Sequence, residues 1–165
     1  MAEEVLIRRA LTSDVPSLSR LGELLARQHA AYDPGRYRLP QSVADAYADL
    51  LSEQLGREDA VVLVADASGM PVGYAFARVE PASLVALMGR TGWVHDLYVV
   101  TEYRERGIGK RLLEAAIQTL ADLGVADIML GVAAQNALAA AFFRRRGFRP
   151  TLQEMTLHVS VSEKT

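Results

Sequence analysis

The stretch V-H-D-L-Y-V-V-T-E-Y-R-E-R-G-I-G-K-R-L-L, residues 94–113, decides how this chain reads. Its first part is apolar, β-branched and aromatic, which predicts a strand over 93–100. Beyond it Ile108, Leu112, Ala115, Ala116 and Leu120 recur at helical spacing, which predicts a helix over 107–123 with Gly124 ending it. Between the two lies Arg104-Glu105-Arg106-Gly107-Ile108-Gly109-Lys110. A helix start leaves about four N–H groups without intrahelical partners and carries roughly half a positive charge. Gly107 and Gly109 lack a Cβ, so an anionic oxygen can come close to the backbone, and Lys110 and Arg111 add cationic side chains. The segment is an anion cradle suited to phosphate.

Two familiar phosphate loops do not fit. A dinucleotide fingerprint needs a third small residue where Leu112 stands, and a Walker loop ends Gly-Lys-Ser/Thr where this one reads Gly109-Lys110-Arg111. The plain structural reading, a tight glycine turn between strand and helix, stays open at this point.

The remaining elements follow from pattern. A strand is expected over 5–10. Ser13, Asp14 and Pro16 then start a helix that Leu18, Leu21 and Leu25 carry to about His29. Residues 31–40 are turn-rich and aromatic, and 43–55 reads as a second helix. Strands are expected over 60–65 and 71–79, joined by a hairpin at Ala67-Ser68-Gly69. After the cradle helix come a strand over 127–132, an alanine-rich helix over 136–146 closed by Gly147, and a last strand or hairpin over 148–159. The tail from about residue 160 is expected to fray. The order β-α-α-β-β-β-α-β-α-β, without repeats or linkers, predicts one α/β domain over 1–165: a mixed central sheet flanked by helices.

Composition narrows the chemistry. Half of the 165 residues are hydrophobic and 23% charged, ordinary for a soluble domain. Neither a membrane span nor a signal peptide is evident, so a cytoplasmic location is expected and no membrane partner. There is no cysteine, which excludes disulfides and a cysteine acyl-enzyme. His29, His95 and His158 lie far apart, so no metal site is expected. A net charge of −2 argues against nucleic acid as a partner. Charge is uneven, however. Bases cluster at Arg104–Arg111 and at Arg144–Arg149, while Asp45, Asp49, Glu53, Glu58 and Asp59 make 41–60 acidic. An anionic ligand and a cationic second one are the corresponding expectation.

Three motifs in register resemble the GNAT superfamily of N-acetyltransferases: L-Y-V at Leu97–Val99, R-x-x-G-x-G at Arg104–Gly109, and N-A-L-A-A-A-F-F-R-R-R-G-F at Asn136–Phe148. The element order agrees over almost the whole chain. The resemblance implies that acetyl-CoA lies between splayed parallel strands, the fourth and fifth, with a bulge near His95–Asp96 as a cause of the splay. It implies pantetheine contacts from the backbone around Leu97, Tyr98 and Val99, and a further contact from Asn136. It places the pyrophosphate on the amides of Arg104, Glu105, Arg106, Gly107, Ile108, Gly109 and Lys110. Where the family often has a tyrosine thought to protonate the leaving thiolate, this chain has Phe143, which packs beside the CoA arm on this reading and has no proton to give.

The resemblance also implies a group on the fourth strand that relieves the attacking amine of its proton. An acid is common there; this chain has His95 followed by Asp96. In a regular strand only His95 shares a side with Leu97 and Val99, and a histidine titrates near neutrality, so His95 is the candidate base. Asp96 is the candidate for orienting a water or binding a cationic amine. The thioester oxyanion would take the N–H of Val99 or a neighbour. Tyr32, Asp33 and Tyr37 are candidates to line the acceptor site. Asp45, Asp49 and Glu53, at i, i+4 and i+8, are ordinarily a wet helix face. The expected activity is direct acetyl transfer from acetyl-CoA to the primary amine of a small, cationic molecule. The alternatives are acetylation of a protein or peptide amine, and a non-catalytic acyl-CoA-binding module. A homodimer through 148–159 is a further expectation of the resemblance.

Overall fold

In the computed structural model, which describes residues 4–159, the chain forms two compact units: residues up to Leu25 with Pro40–Gly131, and Ala26–Leu39 with the segment from Val132 onward. The first unit carries a five-stranded sheet in chain order, β1 (Val5–Arg9), β2 (Ala60–Ala67), β3 (Met70–Glu80), β4 (Thr91–Val99) and β5 (Ile128–Leu130). The first three pairings are antiparallel; β4 and β5 are parallel.

Strand parity sorts the two faces. Val62, Val64, Tyr74, Phe76 and Tyr98 form one buried cluster with Leu18, Leu21 and Leu25 of α1 (Val15–Tyr32) and Leu51 of α2 (Val43–Leu55). The opposite parity is left for α3 (Ile108–Asp122), which buries Ile108, Leu112, Leu113, Ala116 and Leu120. Five such side chains removed from water contribute about 1.5–3 kcal/mol each for the larger ones. They make α3 a rigid support for the loop at its N-terminus.

The second unit holds α4 (Ala137–Arg144), the 33–39 loop and the segment beyond α4. Here the sequence expectation fails. No strand forms over 148–159, and Leu152, Met155, Leu157 and Val159 are exposed. Within the described residues nothing pairs with their backbone as a ladder, and alternation alone cannot make a strand. The Arg36 guanidinium instead pairs with Glu154. The expected fraying tail from about 160 lies outside the described residues.

Candidate active site

The β4–β5 pairing lasts three rungs, Gly92 with Ile128, Trp93 with Met129, and Val94 with Leu130. It stops at His95, where β4 also slips against β3: Phe76 faces Asp96, but Ala77 faces Val94. His95 is therefore the additional residue of a β-bulge. Past the bulge, the Val100 N–H reaches the Val72 carbonyl at 2.9 Å. Alternate residues Tyr98 and Asp96 then turn their backbone groups toward β3, and Leu97 and Val99 turn theirs to the edge β5 has left. The Val99 carbonyl there accepts from Arg104 Nε at 2.8 Å, and the Arg104 guanidinium lies over the Tyr98 ring.

The bulge alters which side chains share a side. Instead of following Leu97, the His95 ring stacks on Phe76, with centroids 5.1 Å apart. His95 and Asp96 therefore line one pocket, together with Tyr47, Leu50, Phe76 and Arg78, of about 300 Å³. The expectation that only His95 shares a side with Leu97 and Val99 holds for a regular strand and fails at the inserted residue.

Besides the apolar Leu50 and Phe76, four polar residues in or beside this pocket are not among the sequence candidates: Tyr47, Tyr74, Arg78 and Glu80. The His95 Nε2 donates to Glu80 Oε1 at 2.9 Å, and Arg78 Nη2 donates to the same oxygen at 2.7 Å. Burial opposes ionisation of Glu80, but the hydrogen bonds and charge of Arg78 and His95 hold its carboxyl below the ordinary range. An ionised carboxylate only accepts, so Nε2 carries a proton, and in the neutral ring that leaves the lone pair on Nδ1. Tyr74 donates to Asp96 Oδ2 at 2.8 Å. Burial, then the charge of Asp96, pushes the phenols of Tyr74 and Tyr47 upward, so both stay protonated. Tyr47 fits because position 22 is glycine: a Cβ there would lie 2.3 Å from the Tyr47 ring.

The 104–110 loop runs from β4 into the N-terminus of α3. Gly107 sits at φ +76° as the residue before α3, and nothing lies within 4 Å of where its Cβ would be. Arg104, Glu105, Arg106 and Lys110 are exposed, Gly109 is partly so, and Ile108 is buried beneath them. Glu105 also takes a left-handed φ of 63°, which a non-glycine residue rarely adopts. Open space over a left-handed glycine, exposed bases and a helix N-terminus suit an extended anionic group such as a diphosphate.

In the second unit, Asn136 is the N-cap of α4, its side chain accepting from the Ala139 N–H at 3.0 Å. Phe143 packs edge-on against Phe142 and Phe148. Arg146 lies over Phe142, and Tyr37 packs against His29. Asp33 accepts from the Gly35 N–H in a turn. Asp45, Asp49 and Glu53 of the first unit are exposed on α2 and line no part of the pocket. Among the described residues, no cluster of His, Asp and Glu gathers that could hold a metal ion, and no helix is long and apolar enough to cross a membrane.

The sheet parts after three parallel rungs, and the loop after the parted strand leads into the N-terminus of α3, a frame that suits an anionic ligand. Residues 23–148 match the acetyltransferase (GNAT) family, and the chain belongs to that family. It is similar to the uncharacterized N-acetyltransferase YhfO of Bacillus subtilis, with 28% identity over 86% of this chain and 88% of that one. Among solved structures, it is similar to a mutant of the BH1408 protein from Bacillus halodurans, with a TM-score of 0.82, 25% identity, and coverage of 94% and 99%. It also shares its fold with the aminoglycoside N-acetyltransferase AAC(6′)-Iy in complex with CoA, with a TM-score of 0.74 at 17% identity and 98% coverage of each chain. The protein is thus a GNAT-fold acetyltransferase with a mixed sheet and a parallel β4–β5 pair.

Proposed function

We propose that the protein transfers an acetyl group from acetyl-CoA directly to the primary amine of a small cationic molecule. One observation carries the reading: the bulge at His95 opens the β4 edge and turns His95 and Asp96 together into one pocket. A donor lying along Leu97 and Val99 and an acceptor in the pocket would meet at that point. The aminoglycoside N-acetyltransferase of the same fold is in complex with CoA, which favours a CoA-type donor here. The pocket's volume, near the lower end for small-molecule sites, favours a compact acceptor over a protein chain.

Acetyl-CoA supplies the acetyl group as a thioester; the amine nitrogen forms the amide bond as the carbon–sulfur bond breaks and the thiolate leaves. The chain's own residues do the rest. Asp96 binds the acceptor's nitrogen and favours a cationic molecule. The reacting amine gives its ammonium proton to water and attacks in its neutral form; His95 Nδ1 takes the second proton, lost as the amide forms, while Glu80 holds the ring in the tautomer that leaves Nδ1 basic. Leu97 and Val99 align the pantetheine, and the amides over 104–110 with their flanking bases hold the pyrophosphate. Phe143 cannot donate a proton, so the thiolate leaves as the anion and takes its proton from water.

The test is thiol release from acetyl-CoA against a panel of monoamines, diamines, polyamines and peptides. Amine-dependent release, strongest for small diamines or polyamines, is expected. CoA-dependent thermal stabilisation with no turnover on any acceptor would overturn the reading.

A further inference from the structure

Tyr74 has no part in the chemistry above, yet among the described residues it is the largest fully buried side chain. It lies opposite Tyr98 on β4 and packs in the cluster that holds Leu18, Leu51, Val64 and Phe76. A phenylalanine would fill the same volume without a hydroxyl to satisfy, and a buried hydroxyl left unpaired costs about 1–3 kcal/mol. Tyr74 meets that requirement by donating to Asp96 Oδ2 at 2.8 Å. Asp96 is thus held from the core side while it lines the pocket. Tyr47 stands next to Tyr74 in the notch left by Gly22, and it lines the pocket too.

We propose that Tyr74 is a positioning residue for acceptor binding: its hydroxyl fixes the Asp96 carboxylate in one rotamer and in its charged form, and Tyr47 braces it. The proposal rests on Asp96 being the group that binds the amine. A hydrogen bond donated to a carboxylate favours the ionised state, and a fixed rotamer removes the entropy of ordering it when the amine arrives. Because Tyr74 stays protonated through the working pH range, the bond does not switch off. The device therefore acts on the acceptor's KM more than on kcat.

The experiment uses Tyr74→Phe, with Tyr47→Phe as a milder variant should the first fold poorly, and Asp96→Asn as the reference. Carboxyl ¹³C NMR of aspartate-labelled protein follows the Asp96 titration directly, its signal assigned by its loss in Asp96→Asn. The Asp96 midpoint is expected to move to higher pH in Tyr74→Phe and less in Tyr47→Phe. Acceptor KM is expected to rise about tenfold in Tyr74→Phe with kcat changed less than threefold, matching a hydrogen bond to a charged group. Adding Tyr74→Phe to Asp96→Asn should cost little more. An unmoved Asp96 titration, or a Tyr74→Phe effect that persists in full without the carboxylate, overturns the proposal. If the wild type acetylates no amine, the functional reading fails, and the titration still decides the positioning role.

Discussion

His95 Nε2 and Glu80 Oε1 lie 2.9 Å apart, joining the bulged residue of β4 to the last residue of β3. Arg78 shares the same oxygen, so the carboxylate is held from two sides and cannot follow the ring if it turns. Removing the ring proposed as the proton acceptor should therefore cost more than removing its anchor. His95→Ala is expected to lower kcat by about a hundredfold, within the range for general base catalysis, and to flatten the acid limb of the pH–rate profile. Glu80→Gln should lower kcat by several-fold with acceptor KM nearly unchanged, because an amide can still accept from Nε2. Steady-state kinetics across pH checks both.

Gly22 makes room for a working side chain. Alanine is a better helix former than glycine by about 1 kcal/mol, so propensity alone predicts that Gly22→Ala stabilises α1. The contact at 2.3 Å with the Tyr47 ring reverses that sign. A net loss of about 1–3 kcal/mol is expected from overpacking, together with a raised acceptor KM as Tyr47 shifts in the pocket wall. Urea unfolding and acceptor kinetics on the one variant measure the two effects.

The far edge of the sheet carries a pH dependence independent of catalysis. Arg8 donates to both Asp14 and Asp66, at 2.7 and 2.8 Å. The Arg8 hydrogen bond holds the Asp14 carboxyl below its usual range, although burial opposes it, and the Leu11 N–H assists. A carboxyl depressed in the folded state contributes stability that is full above its unfolded value and is lost as pH falls through the folded one. Unfolding free energy should therefore fall as the pH drops through and below the ordinary carboxylate range, and Asp14→Asn should show a smaller fall there while being less stable at neutral pH. An equal slope in both proteins would refute the assignment.

The donor cradle depends on one backbone conformation. Gly107 holds φ +76° with open space above it. A β-branched side chain in the left-handed region costs about 1–2 kcal/mol and would stand where the diphosphate is expected. Gly107→Val should weaken CoA binding by about tenfold or more, read by calorimetric titration, with only a modest change in thermal stability. Arg106→Ala should weaken it less and make binding less sensitive to salt.

Much of this was legible in the chain. Helical spacing placed 43–55 and the cradle helix, and the glycines at 107 and 124 marked its two ends, because periodicity and left-handed turns are local properties. The bulge near His95–Asp96 was expected from the resemblance, but its effect on side-chain direction was not. That effect depends on register against β3, which no local pattern encodes. For the same reason Glu80, Arg78 and Tyr74 were not singled out: they reach β4 across the sheet, and each reads as an ordinary strand residue along its own. Tyr47 lies on a helix whose sequence pattern is dominated by acids, although Asp45, Asp49 and Glu53 face water. The segment 148–159 misled in the other direction, having strand-like alternation without a neighbour to pair with.

The central claim is that donor and acceptor meet at the bulge, and amide NMR titration tests it most directly. Adding CoA to ¹⁵N-labelled protein should move the amides of Leu97, Val99 and residues 107–110. A diamine added afterwards should move His95, Asp96 and Phe76. CoA-induced shifts that leave the 104–110 loop and β4 unmoved, or amine-induced shifts confined to residues away from the bulge, would contradict the account.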